Sequence, residues 1–158
     1  MKLKHIFIVS LSTCLPGLSS CDLNITPDSY IPDSSFYKNE AEMNTAVIGC
    51  YGGMQAPLNI EWTLDLGTMD ASNANIRTYW EATYSNINSC NNVLAPENLA
   101  VVANEKKRAQ FEGEVCFIRA YHYFNLVRLF GPTFIITEEL SVADAMKKDR
   151  SSVEATYQ

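Results

Sequence analysis

The fold is decided by residues 105–131, which read Glu-Lys-Lys-Arg-Ala-Gln-Phe-Glu-Gly-Glu-Val-Cys-Phe-Ile-Arg-Ala-Tyr-His-Tyr-Phe-Asn-Leu-Val-Arg-Leu-Phe-Gly. No proline interrupts this stretch, and Gly131 follows the last apolar pair, where a left-handed C-cap favours glycine. Apolar and aromatic side chains recur on one face at steps of three and four residues: Phe111, Val115, Ile118, His122, Leu126 and Leu129. A second row lies on the opposite side: Cys116, Ala120, Tyr123, Val127 and Phe130. The pattern predicts one long helix that is buried between other helices.

Two earlier segments predict the helices that pack against it, so the chain is expected to be mainly α. The first begins near Asn39, which forms a capping-box pattern with Glu42, and ends at Gly52 and Gly53. It carries one apolar stripe: Met43, Ala46, Val47, Cys50, Tyr51 and Met54. The second runs from about Thr78 to Leu94 with a shared face: Trp80, Tyr84, Ile87, Asn91 and Leu94.

Two smaller features depend on hydrogen bonding. Asn91 lies on an apolar face, so we interpret it as a core asparagine whose amide is satisfied by a crossing helix rather than by a ligand. After an extended apolar run at 132–137, Ser151 and Glu154 predict the start of another helix, of which only about one and a half turns are present.

The first residues resemble a targeting segment. Lys2, Lys4 and His5 precede an apolar run from Ile6 to Leu18, and its 13 residues are fewer than the roughly 20 that span a bilayer. We therefore predict a signal peptide at 1–20. Leu-Ser-Ser-Cys follows at 18–21 and resembles a bacterial lipobox, which makes Cys21 the expected lipidation site. Residues 21–38 are punctuated by prolines and are expected to form a lipid-anchored linker.

Composition excludes some classes of function. The formal net charge is −6, and loss of residues 1–20 removes two lysines and makes it −8, which disfavours nucleic acid as a partner. Three cysteines then remain besides the lipidation site: Cys50, Cys90 and Cys116. Their spacing matches no zinc site, and we expect small buried side chains. One disulfide among the three is left open, because the sequence does not assign a pair.

The central helix also resembles a known family. Residues 113–131, Gly-Glu-Val-Cys-Phe-Ile-Arg-Ala-Tyr-His-Tyr-Phe-Asn-Leu-Val-Arg-Leu-Phe-Gly, resemble the pattern GEA-x-FLRA-x-x-YFNLVRLFG of the SusD/RagB family. Residues 80–94 resemble the family element W-x-x-x-Y-x-x-I-N-x-x-N-x-V/L, and residues 33–37 and 46–51 resemble the entry and the exit of its opening helix. The resemblance implies a tetratricopeptide-like helical repeat scaffold. Residues 39–158 would then form an N-terminal helical domain that is incomplete at its C-terminus.

The resemblance also implies a function. SusD-like proteins are lipoproteins exposed on the cell outer membrane that bind glycans or oligosaccharides and deliver them to a SusC-like TonB-dependent transporter, without catalysis. Sugars are held by aromatic platforms and by polar side chains. Such groups occur in and beside the irregular segment 57–78, and they are the candidate ligand-binding residues: Trp62, Asn73, Asn75 and Tyr79. The alternative is that Trp62 belongs to the core and the asparagines form turns.

The sequence contains no phosphate loop, no His-Glu-x-x-His motif and no nucleophile elbow, and we predict no catalytic residue, no metal and no cofactor. His122 is interpreted as a core residue. Two alternatives stay open. One is a helical scaffold that docks the transporter without binding ligand itself. The other is a lipid-anchored hydrolase that uses carboxylates of the same irregular segment: Glu61, Asp65 and Asp70.

Overall fold

The computed structural model describes residues 36–55 and 74–158. These residues belong to one compact unit, Asp33–Gln158, whereas the other unit, Met1–Pro32, lies outside the described residues. The predicted signal peptide and the predicted lipidation site therefore lie outside them as well. The described residues form six helices, which follow in order: α1 (Glu40–Gly53), α2 (Ala74–Leu94), α3 (Pro96–Leu99), α4 (Glu105–Phe130), α5 (Val142–Ala145) and α6 (Val153–Tyr157). The described part contains no β-strand, and the prediction of a mainly α fold is confirmed.

Helix α4 has nearly the predicted bounds. The Asn104 side chain caps its first turn by accepting a 3.1 Å hydrogen bond from the Lys107 amide. Gly131 ends the helix with a φ of 69°, the left-handed region in which glycine carries no Cβ penalty. Its second half is buried on two sides, as predicted. Its first half is covered on one side only, because Cys116 and Phe117 are exposed.

Helix α1 begins with the predicted cap. The Glu42 amide donates to Asn39 Oδ1 at 3.0 Å, and Glu42 Oε2 accepts from the Lys38 amide at 2.8 Å. The stripe then places three residues in the core: Met43, Val47 and Cys50. Tyr51 was expected in the same stripe but is exposed, and its side chain is a hydrogen-bonding partner of Glu114 on α4.

Helix α2 starts at Ala74, four residues earlier than predicted. It packs against both α1 and α4, so the three long helices share one buried cluster. Its members are Met43, Val47, Cys50, Cys90, Val93, Val102, Phe111, Val115 and Ile118. Burying each large apolar side chain contributes about 1.5–3 kcal/mol, so this cluster supplies much of the stabilisation of the described unit.

The run at 132–137 is extended, as predicted, and two tyrosine hydroxyls fasten it to the helices. Tyr84 Oη accepts from the Phe134 amide at 2.8 Å and donates to the Phe134 carbonyl at 3.1 Å. Tyr123 Oη accepts from the Ile136 amide at 2.7 Å and donates to the Ile136 carbonyl at 2.8 Å. Each hydroxyl thus satisfies both backbone groups of one residue, which a neighbouring strand would do in a sheet. We call residues 133–138 the clamped segment.

Asn91 and Arg119 complete this attachment. Asn91 Nδ2 donates to the Ile136 carbonyl at 3.0 Å, and its Oδ1 accepts from Arg119 Nη1 at 2.9 Å. Arg119 also donates to the Thr137 carbonyl at 3.3 Å. The interpretation of Asn91 as a satisfied core residue is confirmed. Its carbonyl partner comes from the clamped segment, however, and only the arginine comes from a crossing helix.

The C-terminal helix α6 is capped one residue later than predicted. Ser152 Oγ, rather than Ser151 Oγ, accepts from a helical amide, that of Ala155, at 3.1 Å. Ser151 instead donates its backbone amide to the Thr133 carbonyl in an isolated antiparallel bridge. That bridge fixes the start of the clamped segment and removes Ser151 from the helix.

We predict that Tyr123→Phe destabilises the protein by about 1–3 kcal/mol, because the Ile136 amide loses its partner in a partly buried setting. The Ile136 carbonyl keeps the Asn91 amide and limits the loss. Equilibrium denaturant unfolding measures the change. Tyr157→Phe is the matched control, since Tyr157 is exposed on α6 and the change should stay within about 0.5 kcal/mol. Equal unfolding midpoints for Tyr123→Phe and the parent protein would contradict this role.

His122 gives a second prediction. It is fully buried, neither ring nitrogen has a hydrogen-bond partner among the described residues, and burial lowers its pKa from 6.5 to about 4. The unfolded chain therefore takes up this proton near pH 6.5 while the folded chain does not, so stability falls as the pH drops through this window. Between pH 7.5 and 4.5 the residue should cost roughly 2–3 kcal/mol.

The measurement is urea unfolding of the parent protein and of His122→Leu at both pH values. Carboxylates titrate in both proteins, so the difference between them isolates the histidine. We expect the variant to lose less stability at low pH. An identical pH dependence in the two proteins would show that His122 does not remain neutral in the fold.

Candidate functional site

An aromatic groove lies beside the clamped segment. It is a cavity of about 310 Å³ lined by Trp80, Glu81, Tyr84, Phe134, Ile136, Ala145 and Lys148. Trp80 and Tyr84 are one helical turn apart on α2, with ring centroids 5.0 Å apart, and Phe134 meets Trp80 edge-on at 6.3 Å. Both α2 aromatics are half-buried. The groove thus offers ring surface that is held rigidly and still partly reaches solvent.

Charged groups surround these rings. The Arg150 guanidinium lies over Trp80 at 5.2 Å and over Phe134 at 5.5 Å, and it donates to the Pro132 carbonyl at 3.3 Å. Glu81 lies on the same rim, with an exposed ion pair to Arg77 at 3.9 Å that contributes little stability. Ring faces beside donors and acceptors are the groups that bind the C–H faces and hydroxyls of a sugar.

A second, polar groove lies at the far end of α2. This cavity of about 490 Å³ is lined largely by amides and carboxylates: Asn91, Asn92, Glu97, Asn98, Glu138 and Glu139, with Tyr37 and Thr137 among the others. The Tyr37 backbone has a φ of 61°, a left-handed conformation that costs a non-glycine residue roughly 1–3 kcal/mol. The clamped segment joins the two grooves, because Ile136 lines the aromatic one and Thr137 the polar one.

The predicted ligand-binding residues have different positions. Trp62 and Asn73 lie outside the described residues. Asn75 is exposed in the first turn of α2. Tyr79 was expected on or next to an exposed loop, but it is 3% exposed and its ring stacks on Phe130 at 6.1 Å. The earlier start of α2 explains this correction, because it puts Tyr79 in the second turn of a helix that packs on α4.

The aromatic groove was not predicted from the sequence. Trp80 and Tyr84 were assigned to the packing face of α2, and their spacing of four residues is the only local signal of a shared surface. Phe134 completes the groove from a position 50 residues beyond Tyr84. That part of the site depends on the path of the clamped segment, which follows from long-range hydrogen bonds and has no sequence pattern.

The described residues include no cluster of three or more His, Cys, Asp or Glu side chains that could hold a metal ion. Glu61, Asp65 and Asp70, the carboxylates of the hydrolase alternative, lie outside the described residues.

Burial raises the pKa of Tyr84 and raises that of Tyr123 to about 12, so both phenols stay protonated and keep their donor role at neutral pH. None of the described helices is long and apolar enough to cross a membrane.

Comparison with known proteins identifies the family to which this chain belongs. A SusD-like family profile described as "Starch-binding associating with outer membrane" matches residues 23–158. The chain therefore belongs to the SusD-like family, and its helical scaffold is of the tetratricopeptide-like kind found in that superfamily. Both the resemblance seen in the sequence and the predicted fold class are confirmed.

Individual SusD-like proteins are similar to this chain in sequence and in structure. SusD-like protein P2 of Formosa agariphila is 29% identical, over 96% of this chain and 34% of that protein. A solved SusD-like carbohydrate binding protein of Bacteroides fragilis is 27% identical with a TM-score of 0.51, over 56% of this chain and 17% of that one. A second SusD-like structure from the same species has a TM-score of 0.62 at 23% identity, over 84% of this chain and 30% of that one. The chain spans about a third of the curated relative that it matches.

Proposed function

We propose that this chain is the N-terminal portion of an outer membrane lipoprotein that binds glycans at the cell surface. It would deliver them to a SusC-like TonB-dependent transporter without breaking any bond. The observation that carries the proposal is the family match over residues 23–158, a family described as starch-binding and associated with the outer membrane. Within the described residues, the aromatic groove supplies the surface on which a sugar ring could stack.

The groove supports an uncharged or weakly charged glycan. Trp80, Tyr84 and Phe134 present apolar ring surface, while Glu81 and Lys148 on the rim offer an acceptor and a donor for hydroxyl groups. Its volume of about 310 Å³ falls at the lower end of ligand sites and suits one or two sugar rings of a longer chain. Of the four residues predicted from the sequence, Asn75 remains a candidate contact on the described surface, and Trp62 and Asn73 remain untested candidates.

The membrane attachment is proposed from the sequence. Lipidation of Cys21 after cleavage of residues 1–20 would place acyl chains such as palmitate at the start of a proline-punctuated linker. Two or three acyl chains hold a protein on a bilayer firmly, whereas one chain binds only marginally.

A second candidate function is the helical scaffold that docks the transporter without binding ligand. The observation that favours it is a row of exposed aromatic residues on α4 and α6: Phe117, Phe124 and Tyr157, exposed by 66%, 45% and 60%. The Phe124 and Tyr157 rings lie 6.4 Å apart, so they form one apolar surface. Rings of this kind are enriched at protein interfaces.

We predict that Trp80→Ala weakens glycan binding roughly 2- to 10-fold, the effect expected when one aromatic contact worth about 0.5–1.5 kcal/mol is lost. The probe is a set of malto-oligosaccharides, with other neutral oligosaccharides alongside, and the measurement is isothermal titration calorimetry. Lys148→Ala tests the rim in a position that is exposed and outside the core. Thermal melts confirm that each variant folds.

Phe117→Ala is the matched control, since it removes an exposed aromatic residue away from the groove. It should leave glycan affinity unchanged. If Phe117→Ala abolishes co-purification with the transporter while the parent protein binds no oligosaccharide, the scaffold function replaces the receptor. If both groove variants bind oligosaccharide as the parent does, the groove is not the glycan site.

A further inference from the structure

Two cysteines that the proposed function does not use lie together in the core. Cys50 on α1 and Cys90 on α2 are 1% and 0% exposed and belong to the same buried cluster. Their thiols are hydrogen-bonding partners of each other. The structure contains both as free thiols. This contact joins two helices whose connection includes the whole segment from 54 to 73.

An independent contact fixes the register of the two helices. Asn86 Nδ2 donates to the Gly53 carbonyl at 2.9 Å, and a Cβ built on Gly53 would overlap the Asn86 side chain. Glycine therefore leaves room for the Asn86 side chain between α1 and α2. Moving one turn back along α1 and one turn forward along α2 leads to Cys50 opposite Cys90, so the helices are antiparallel. Facing positions on packed helices are what a disulfide requires, because its Cα atoms lie about 4.4–6.8 Å apart.

The two thiols differ in acidity. The hydrogen bond with Cys90 lowers the pKa of Cys50, whereas the same hydrogen bond and burial raise the pKa of Cys90. Cys116 on α4 is exposed and lies outside the buried cluster that contains Cys50 and Cys90, so it is a poorer partner for either.

We propose that Cys50 and Cys90 form a disulfide that cross-links α1 to α2 in the mature protein. One of the two cysteines, as its thiolate, attacks the disulfide of an oxidising thiol–disulfide exchange protein, releases one sulfur of that protein as a thiol and forms a mixed disulfide with the other. The second cysteine then attacks the mixed disulfide, forms the Cys50–Cys90 bond and releases the other sulfur of the oxidant. The two thiols lose two protons and two electrons, and the oxidant becomes a dithiol. Because both side chains are buried in the fold, the reaction occurs before the core closes.

The physiological setting rests on the proposed outer membrane location, since disulfides persist outside the cytoplasm. Formation of the disulfide can be tested in vitro, independently of the protein's location. The full chain is refolded from denaturant with oxidised and reduced glutathione, quenched with acid, alkylated while unfolded and digested with trypsin without reductant. Cleavage after Lys and Arg places Cys50, Cys90 and Cys116 on separate peptides, 39–77, 78–106 and 109–119, and places Cys14 and Cys21 together on peptide 5–38.

We expect peptides 39–77 and 78–106 to be recovered as one linked species, two hydrogens lighter than their sum, with Cys116 alkylated. Recovery of Cys50 and Cys90 as alkylated, separate peptides would overturn the proposal, and so would a link that contains Cys116. Glycan affinity does not enter this readout, so failure of the receptor function and failure of the cross-link are distinguishable.

A thermal melt gives the second measurement. The oxidised protein should melt roughly 5–15 °C above the reduced one, because the cross-link restricts the unfolded chain. The Cys116→Ser variant should show the same difference in melting temperature between oxidised and reduced samples. The Cys90→Ser variant should show no such difference, even if its melting temperature differs from that of the parent protein. No difference in the parent protein would contradict a stabilising cross-link.

Discussion

The structure depends on where the backbone polar groups of residues 133–138 find partners. This segment leaves α4 at Gly131, runs extended beside α2 and α4, and has no neighbouring strand in the described part of the chain. Its amides and carbonyls would otherwise be partly buried without hydrogen bonds, at a cost of about 1–3 kcal/mol for each group. Tyr84 and Tyr123 remove that cost by binding both backbone groups of alternate residues. Alternation follows from the two-residue period of an extended chain.

This attachment also positions the surface that matters for function. With Phe134 and Ile136 held at fixed points, the clamped segment forms one wall of the aromatic groove and, from the next residue on, part of the polar groove. Both tyrosines serve as donor and acceptor, which requires neutral phenols, and the raised pKa of each keeps it neutral. Structural and proposed binding roles therefore meet on Tyr84, which fastens the segment with its hydroxyl and lines the groove with its ring.

The sequence predicted the parts of the fold that local chemistry specifies. The Asn39 cap, the glycine end of α4 and its buried face all follow from neighbouring residues, and the structure has them. Features that depend on distant residues were placed less well. Tyr79 was predicted at the surface, because the start of α2 was placed four residues too late and its contact with Phe130 lies 51 positions away. The partners of Asn91 were likewise predicted on a helix but lie mainly on an extended segment.

The candidate sites also depend on contacts between residues that are distant in the sequence. Aromatic and amide residues in a loop are a reasonable sign of sugar binding, yet the groove described here combines two side chains of one helix with one from a remote segment. The pairing of Cys50 with Cys90 also depends on helix register, which the Gly53–Asn86 contact sets and which spacing alone does not reveal.

Amide hydrogen exchange measured by NMR tests whether the tyrosine hydroxyls hold the clamped segment. We predict that the amides of Phe134 and Ile136 exchange slowly in the parent protein, and that Tyr123→Phe selectively speeds exchange at Ile136. Exchange at both amides as fast as in an unstructured peptide would show that the hydroxyls do not hold the segment.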